Sequence, residues 1–309
     1  MTTGPRESPA VRSIHLQGGC RANDLGGKLQ LELTASNGKT AVLTPPTFHH
    51  AYGVLTRAGF TVVGADFYFE VAQADGRRLP DWRAYHHLGR TSWPCAEQAD
   101  NWSFIAHAAI LQKNRLLWDV ASRVRHQLRS CDWRLRQISE CYRDQLHSKV
   151  RNSQFVDGQR FDDGFTWLAY LAIQAFLVDA CVLRDYLAEY RALILTQTGS
   201  VTFNGKVTRI GSLKKQCLSK GPLNIPVDQA MKKATEPGGW LHLLGSYRDL
   251  VVHYAPLASA GKSLYAVCRP LRLDAETTLP AIKLPIPPDP DKISAGRTSG
   301  AHFDDPEQN

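Results

Sequence analysis

Apolar and polar residues alternate with period two along Lys28-Leu-Gln-Leu-Glu-Leu-Thr34, the pattern of a half-buried strand. Ser36-Asn37-Gly38-Lys39 follows, and Thr40-Ala-Val-Leu-Thr44 then resumes strand character. Asn-Gly accepts the positive φ values of a tight turn, so the two runs are expected to pair as a hairpin. Thr61 to Val71 reads as a further strand, or as two with a bulge at Gly64. The stretch to residue 100 is irregular and aromatic, with Trp82, Tyr85 and Trp93.

From Asn101 the period changes. Ile110, Leu117, Val120, Val124, Leu128, Cys131, Leu135, Ile138 and Tyr142 recur at steps of three and four, and no proline or glycine interrupts Trp102 to Arg151. The pattern predicts one long amphipathic helix. A second helix is expected from about Asp162 to Thr196, closed by Thr198-Gly199. Shorter helices are expected near 212–219 and 227–235. Another runs from about Pro237 to Tyr254, where Pro256 stops it. Strand-like runs return at Ser263–Cys268 and Leu279–Pro285. The expected fold is therefore α+β: a mainly helical bundle over 101–258, a β-rich N-terminal region over 27–100, and C-terminal β segments over 259–285. The two flanks could pair into one small sheet. Residues 1–26 read as a flexible lead-in and 286–309 as a disordered, Pro/Asp/Gly-rich tail.

Composition narrows the picture. A chain of 309 residues that is 43% hydrophobic has ample material for a core. No run reaches the ~18 uncharged apolar residues of a membrane span, and Met1–Ser13 lacks the apolar segment of a secretory signal. A soluble, cytoplasmic protein without membrane partners is expected. The net charge of +8 favours polyanionic partners. Ten basic residues face four acidic ones between Asn101 and Arg151. Arg123, Arg125, Arg129, Arg134, Arg136 and Arg143 would either track a phosphate backbone or form a solvated helix face. Lys206, Arg209, Lys214, Lys215 and Lys220 make a second basic patch before the last helix. The seven cysteines are scattered, with no CxxC pair, and the histidine pairs His49-His50 and His86-His87 have no companion at metal-ligand spacing. Neither a metal nor a cofactor is expected.

The run Gly245-Ser-Tyr247-Arg248-Asp249-Leu-Val-Val-His253-Tyr254 carries the most chemistry. On an α-helix Asp249 and His253 share a face, so the carboxylate can orient the imidazole. Arg248 and His253 stand five apart, about 140° round such a helix, and would converge only through a long side chain or a distortion near the helix end. A histidine that moves protons, beside an arginine that stabilises phosphate charge, suits phosphodiester cleavage by a neighbouring 2′-hydroxyl. Tyr247 and Tyr254 either stack on bases or sit half-buried in the bundle. Lys214 and Lys215 are further candidates for substrate binding.

Arg248-Asp249-x-x-x-His253, late in a helical region after two long helices, resembles the Arg-x(4–6)-His motif of the HEPN superfamily. The resemblance covers residues 101–258. It implies a four- or five-helix bundle that dimerises, with two motifs facing each other to form a metal-independent ribonuclease site. Arg248, Asp249 and His253 would be its catalytic residues, RNA or a nucleotide its ligand, and a toxin or phage-defence effector, with a possible separate antitoxin chain, its setting. The same resemblance admits a non-catalytic nucleotide- or RNA-binding module. A structural, partner-binding protein is the third reading.

Overall fold

A computed structural model describes residues 11–26, 28–32, 42–47, 50–87, 92–220, 225–254, 257, 264–272 and 278–294. Its first layer is a six-stranded antiparallel sheet built from β1 (Arg12–Leu16), β2 (Arg21–Asp24), β3 (Leu29–Leu31), β4 (Val42–Leu43), β5 (Val62–Phe67) and β6 (Asp81–Ala84). The order across the sheet is β4-β3-β2-β1-β5-β6. Helix α1 (Ala51–Arg57) links β4 to β5, and the single turn α2 (Val71–Ala74) links β5 to β6. The expected hairpin is present as Leu29 opposite Leu43 and Gln30 opposite Val42; its turn at 36–39 lies outside the described residues.

Residues 12–24, expected to be a flexible lead-in, instead occupy the middle of this sheet. All five residues of β1 are buried. Ile14 and Leu16 enter the apolar core, while Arg12 is compensated by Asp24 at 3.0 Å and by the Tyr52 hydroxyl at 3.1 Å. Two polar strand residues thus satisfy each other inside the fold, which a hydropathy pattern does not reveal. The irregularity in β5 lies beside Gly64, as expected: His15 pairs with Gly64 and Leu16 with Val62, so Val63 is the extra residue, and Gly64 is required because a Cβ there would collide with the Trp82 ring.

The long helix expected from Trp102 is two helices, α3 (Pro94–Leu111) and α4 (Arg115–Arg151). Lys113 takes a left-handed conformation (φ 55°), and Asn114 caps α4 by accepting from the Leu117 amide at 3.1 Å. Helix α5 (Gly164–Gln197) begins at Asp163, which accepts from Thr166 N at 2.9 Å. Contacts Asn114–Gln197, Arg123–Glu189, Arg134–Asp179 and Gln145–Thr166 run in opposite senses along the two chains, so α4 and α5 are antiparallel. Helix α5 is long and apolar enough to cross a membrane by length and composition; here its Asp179 and Glu189 are tied to α4.

Three shorter helices follow among the described residues, two of them ending in π-helical turns. Helix α6 (Ile210–Leu213) continues into a π-helical turn over Lys214–Leu218, and α7 (Pro226–Thr235) follows. Helix α8 (Trp240–Asp249) packs on α5 and ends in a second π-helical turn, Leu250–Tyr254.

The C-terminal segments do not extend the large sheet. Strand β7 (Arg160–Phe161), from the α4–α5 connection, pairs with β8 (Ala266–Cys268), which pairs with β11 (Ile282–Lys283). Strands β9 (Leu271–Arg272) and β10 (Thr278–Leu279) form a separate ribbon. The flanks nevertheless share one core, in which Ile14 and Leu16 lie with Ala266, Ala281 and Ile282. Gly18 and Gly19 permit this approach: both have positive φ, and a Cβ on Gly18 would lie 2.6 Å from Ala281 Cβ. The start of the expected disordered tail is ordered. Pro287 O accepts from the Tyr247 hydroxyl at 2.6 Å, and Ile293 is buried in helix α9 (Pro290–Ser294).

Candidate functional site

Arg248, Asp249 and His253 sit at the end of α8 and are all accessible to solvent. The Arg248 side chain is 38% exposed and that of Asp249 54%; His253 is exposed, while Leu250 between them is wholly buried. The buried leucine fixes the orientation of the segment. Residues 250–254 are wound as a π-helix, and a turn closed by i→i+5 bonds takes more residues than an α-turn. Positions five apart, such as Arg248 and His253, are therefore brought closer to one face than the 140° of a regular α-helix.

Asp249 has a different partner from the one expected. Its Oδ1 accepts from Arg248 Nη1 at 2.6 Å, and among the described residues no hydrogen bond joins it to His253. Adjacent residues on a helix point about 100° apart, so this pair holds the long guanidinium close to the backbone. The pair observed at this position is therefore Arg248–Asp249.

Beside α8 opens a cleft of about 350 Å³ lined by Arg184, Lys214, His242, Ser246, Asp249 and Asp291. Gly245 shapes it: a Cβ there would come within 2.9 Å of Arg184 Nη1. Lys214 donates to the Thr235 carbonyl at 2.6 Å and lies in the cleft with Asp249, whereas Lys215 is exposed on the neighbouring π-turn. Tyr247 is half-buried against the core, with its hydroxyl given to Pro287 O, so it is a packing residue. The Tyr254 side chain lies outside the described residues.

The arginines of α4 do not form a free cationic face. Arg123 binds Glu189 and Asp119 at 2.9 and 2.8 Å. Arg129 pairs with Asp100 at 3.7 Å and Arg134 with Asp179 at 2.8 Å. Arg136 pairs with Asp66 at 2.9 Å and Arg143 with Glu32 at 3.3 Å. Arg125 Nε is buried without a hydrogen-bond partner. Most of this charge is used to join α4 to the sheet, α3 and α5. Counting cations along one helix cannot show this, because most of the compensating acids (Glu32, Asp66, Asp100, Asp179 and Glu189) come from other parts of the chain.

A second constellation was not legible in the sequence. His15 is fully buried between β1 and α4; its Nδ1 lies 3.1 Å from Ser139 Oγ and its Nε2 3.1 Å from Asp66 Oδ2. Arg136 grips Asp66 through Nε and Nη2 at 2.9 and 3.0 Å. Arg21 Nη1 contacts His15 Nε2, and its Nη2 lies 3.0 Å from Glu140. Serine, histidine and aspartate in hydrogen-bond sequence suggest a nucleophilic relay, but the electrostatics oppose it. Burial and the adjacent Arg21 lower the His15 pKa from 6.5 to about 4, so an imidazolium is disfavoured where a general base would have to form one. The Asp66 carboxyl is held low, at about 2, by hydrogen bonds from His15 and Arg136 that outweigh its burial.

His15, Asp66 and Glu140 also place donor atoms within 4.8 Å of one another. Their two carboxylates are already matched by Arg21 and Arg136, and a divalent ion would have to expel a guanidinium. The network is a charge-neutral brace between sheet and helix.

Comparison with protein-family models, with curated proteins and with solved structures returned no match.

Proposed function

We propose that the protein is a metal-independent endoribonuclease of HEPN type. The observation that carries this reading is that Arg248 and His253 reach solvent from one helical segment whose last turn is π-wound, next to a cleft containing Arg184, Lys214 and His242. His253 exchanges protons with the attacking 2′-hydroxyl and the leaving 5′-oxygen. Arg248, steadied by Asp249, stabilises the charge on the phosphate oxygens. The products are a 2′,3′-cyclic phosphate and a 5′-hydroxyl, so atoms balance without water.

A single copy supplies one histidine, and the reading therefore includes a homodimer. Leu168, Leu171, Ala175, Val178 and Val182 fall within about 80° on one side of α5. Leu168 and Leu171 are 53% and 54% exposed, an apolar stripe that a second copy would cover.

Incubation of purified protein with RNA in EDTA, beside His253→Ala and Arg248→Ala, tests the proposal. Cleavage by wild type alone, with cyclic phosphate ends, is expected. Equal cleavage by wild type and His253→Ala, or none by either, overturns it. The Arg248–Asp249 pair favours a second reading, a non-catalytic module that binds a nucleotide or RNA. Under that reading binding weakens with salt, turnover is absent, and Arg248→Ala weakens binding more than His253→Ala.

A further inference from the structure

Helix α3 is packed inside out. Its buried residues are Ala99, Ala106 and Ala109, whereas Phe104 and Leu111 are each 72% exposed and Ile110 is exposed beside them. A surface helix ordinarily turns its large apolar side chains towards the core; α3 gives α4 only the small ones. Phe104 and Leu111 stand seven residues apart, so they share one face and lie about 10 Å apart along the axis. Where α3 turns into α4, Ile110 and the exposed Trp118 line a groove of about 620 Å³ together with Lys113, Asn114 and Arg115. From Asn101 to Trp118 the sequence holds no Asp or Glu, and its ionisable side chains are His107, Lys113 and Arg115. Lys113 and Arg115 are exposed, and among the described residues neither is joined to a carboxylate. The nearest acid along the chain, Asp119, is held by Arg123 at 2.8 Å.

We propose that this corner docks on an anionic phospholipid surface, with Phe104, Ile110, Leu111 and Trp118 at the boundary of headgroups and acyl chains and Lys113 and Arg115 at the phosphates. Charge complementarity selects the occupant. Large apolar side chains beside cations that no carboxylate engages match a surface that is apolar beneath and anionic above. Tryptophan is a residue type that collects at such a boundary. The long stems of Lys113 and Arg115 let their charged ends reach phosphates while their neighbours sit deeper. A second copy of the chain fits less well, because a two-fold contact centred on this corner would set four cations together. The lack of a run of ~18 uncharged apolar residues bears on crossing a bilayer, and lying against one needs no such run.

Sedimentation of the full chain with vesicles of phosphatidylcholine, with and without phosphatidylserine, tests the proposal. Binding is expected only where phosphatidylserine is present. Lys113→Gln and Arg115→Gln should each weaken it about fivefold, the effect of one cation near an anionic surface. Leu111→Ser should weaken it about tenfold or more through lost apolar burial. Arg57→Gln makes the same charge change at an exposed position of α1 and should leave binding nearly unchanged, which separates the corner from the net charge of +8. All four side chains are exposed, so the variants keep the fold. No binding to phosphatidylserine vesicles, equal binding to both vesicle types, or equal losses in Arg115→Gln and Arg57→Gln would overturn it. Dimerisation that Leu111→Ser abolishes, without vesicle binding, would assign the corner to a second copy instead. RNA cleavage is not part of the readout, so this outcome is separate from that of the nuclease test.

Discussion

Acidification should loosen the protein through His15. This imidazole is buried under Trp82, at 4.6 Å between ring centres, and faces Arg21. In the unfolded chain it takes a proton as pH falls below 6.5; in the folded chain it does so only near 4. Between those values the unfolded state binds more protons, so stability is full above pH 6.5 and declines as pH falls towards 4. At about 1.4 kcal/mol per pH unit of difference, the loss is about 3 kcal/mol, a large part of the ~5–15 kcal/mol of an ordinary domain. Urea unfolding of wild type and His15→Gln at intervals from pH 8 to pH 4 measures it. The variant should be less stable at pH 8 by about 1–3 kcal/mol, since Asp66 and Ser139 lose a partner. It should also lack most of the decline between pH 6.5 and 4. In both proteins His147, lowered by burial and Arg143, adds to the decline, whereas burial raises the Asp132 carboxyl to about 6 and opposes it in the same window, so the difference between the two proteins is what isolates His15. Asp66 acts in a separate window: its carboxyl is depressed from 3.8 to about 2, so its contribution is present above pH 3.8 and lost as pH falls through 2. Identical slopes for wild type and His15→Gln would refute the reasoning.

Two further outcomes are expected. Gly19→Ala puts a methyl 2.5 Å from Tyr142 O at a φ of +88°, and should cost about 2 kcal/mol or more in a thermal melt; a cost below 0.5 kcal/mol would mean that the turn is not wedged against α4. Because Arg134 and Arg143 are engaged with Asp179 and Glu32, replacing each by alanine should lower Tm without changing the salt dependence of RNA binding. Lys214→Ala should instead reduce the slope of log K against log salt by about 1; a reversal of these two results would relocate the RNA surface to α4.

Some elements were legible because local chemistry and tertiary role agree. Asp163 caps α5 where the helical period begins, and Thr198-Gly199 ends it. The β3–β4 pairing follows from alternation around Asn37-Gly38. The end of α3 was hidden because Lys113, not glycine, adopts the left-handed turn, leaving only the Asn114 cap as a signal. Strands β1 and β2 were hidden for another reason. Arg12, Ser13, His15 and Arg21 read as solvent-facing, and only Asp24, Asn23, Asp66 and Glu140, brought together by the fold, allow them inside. The same long-range compensation separates the motif from the helix charge. Arg248 and His253 were visible as a spacing, whereas the neutralisation of the α4 arginines depends on acids up to 111 residues away. The π-turn had no sequence mark beyond the awkward five-residue interval it relieves.

The small sheet formed by β7, β8 and β11 has a consequence for how the molecule comes into being. Cys20 Sγ reaches the Pro280 carbonyl across 260 residues, and Tyr170 donates to Pro285 O across 115. During synthesis the large sheet and the α4–α5 hairpin emerge first, and they must wait with Ile14, Leu16 and Tyr170 uncovered until residues 264–286 arrive. Contacts this distant slow folding, because loop closure precedes any gain from burial. A nascent chain stalled before residue 264 would display an open apolar seam to chaperones and proteases. A chain truncated before residue 264 is expected to be recovered insoluble or protease-sensitive, and a soluble, folded truncation would show that the core closes without these strands.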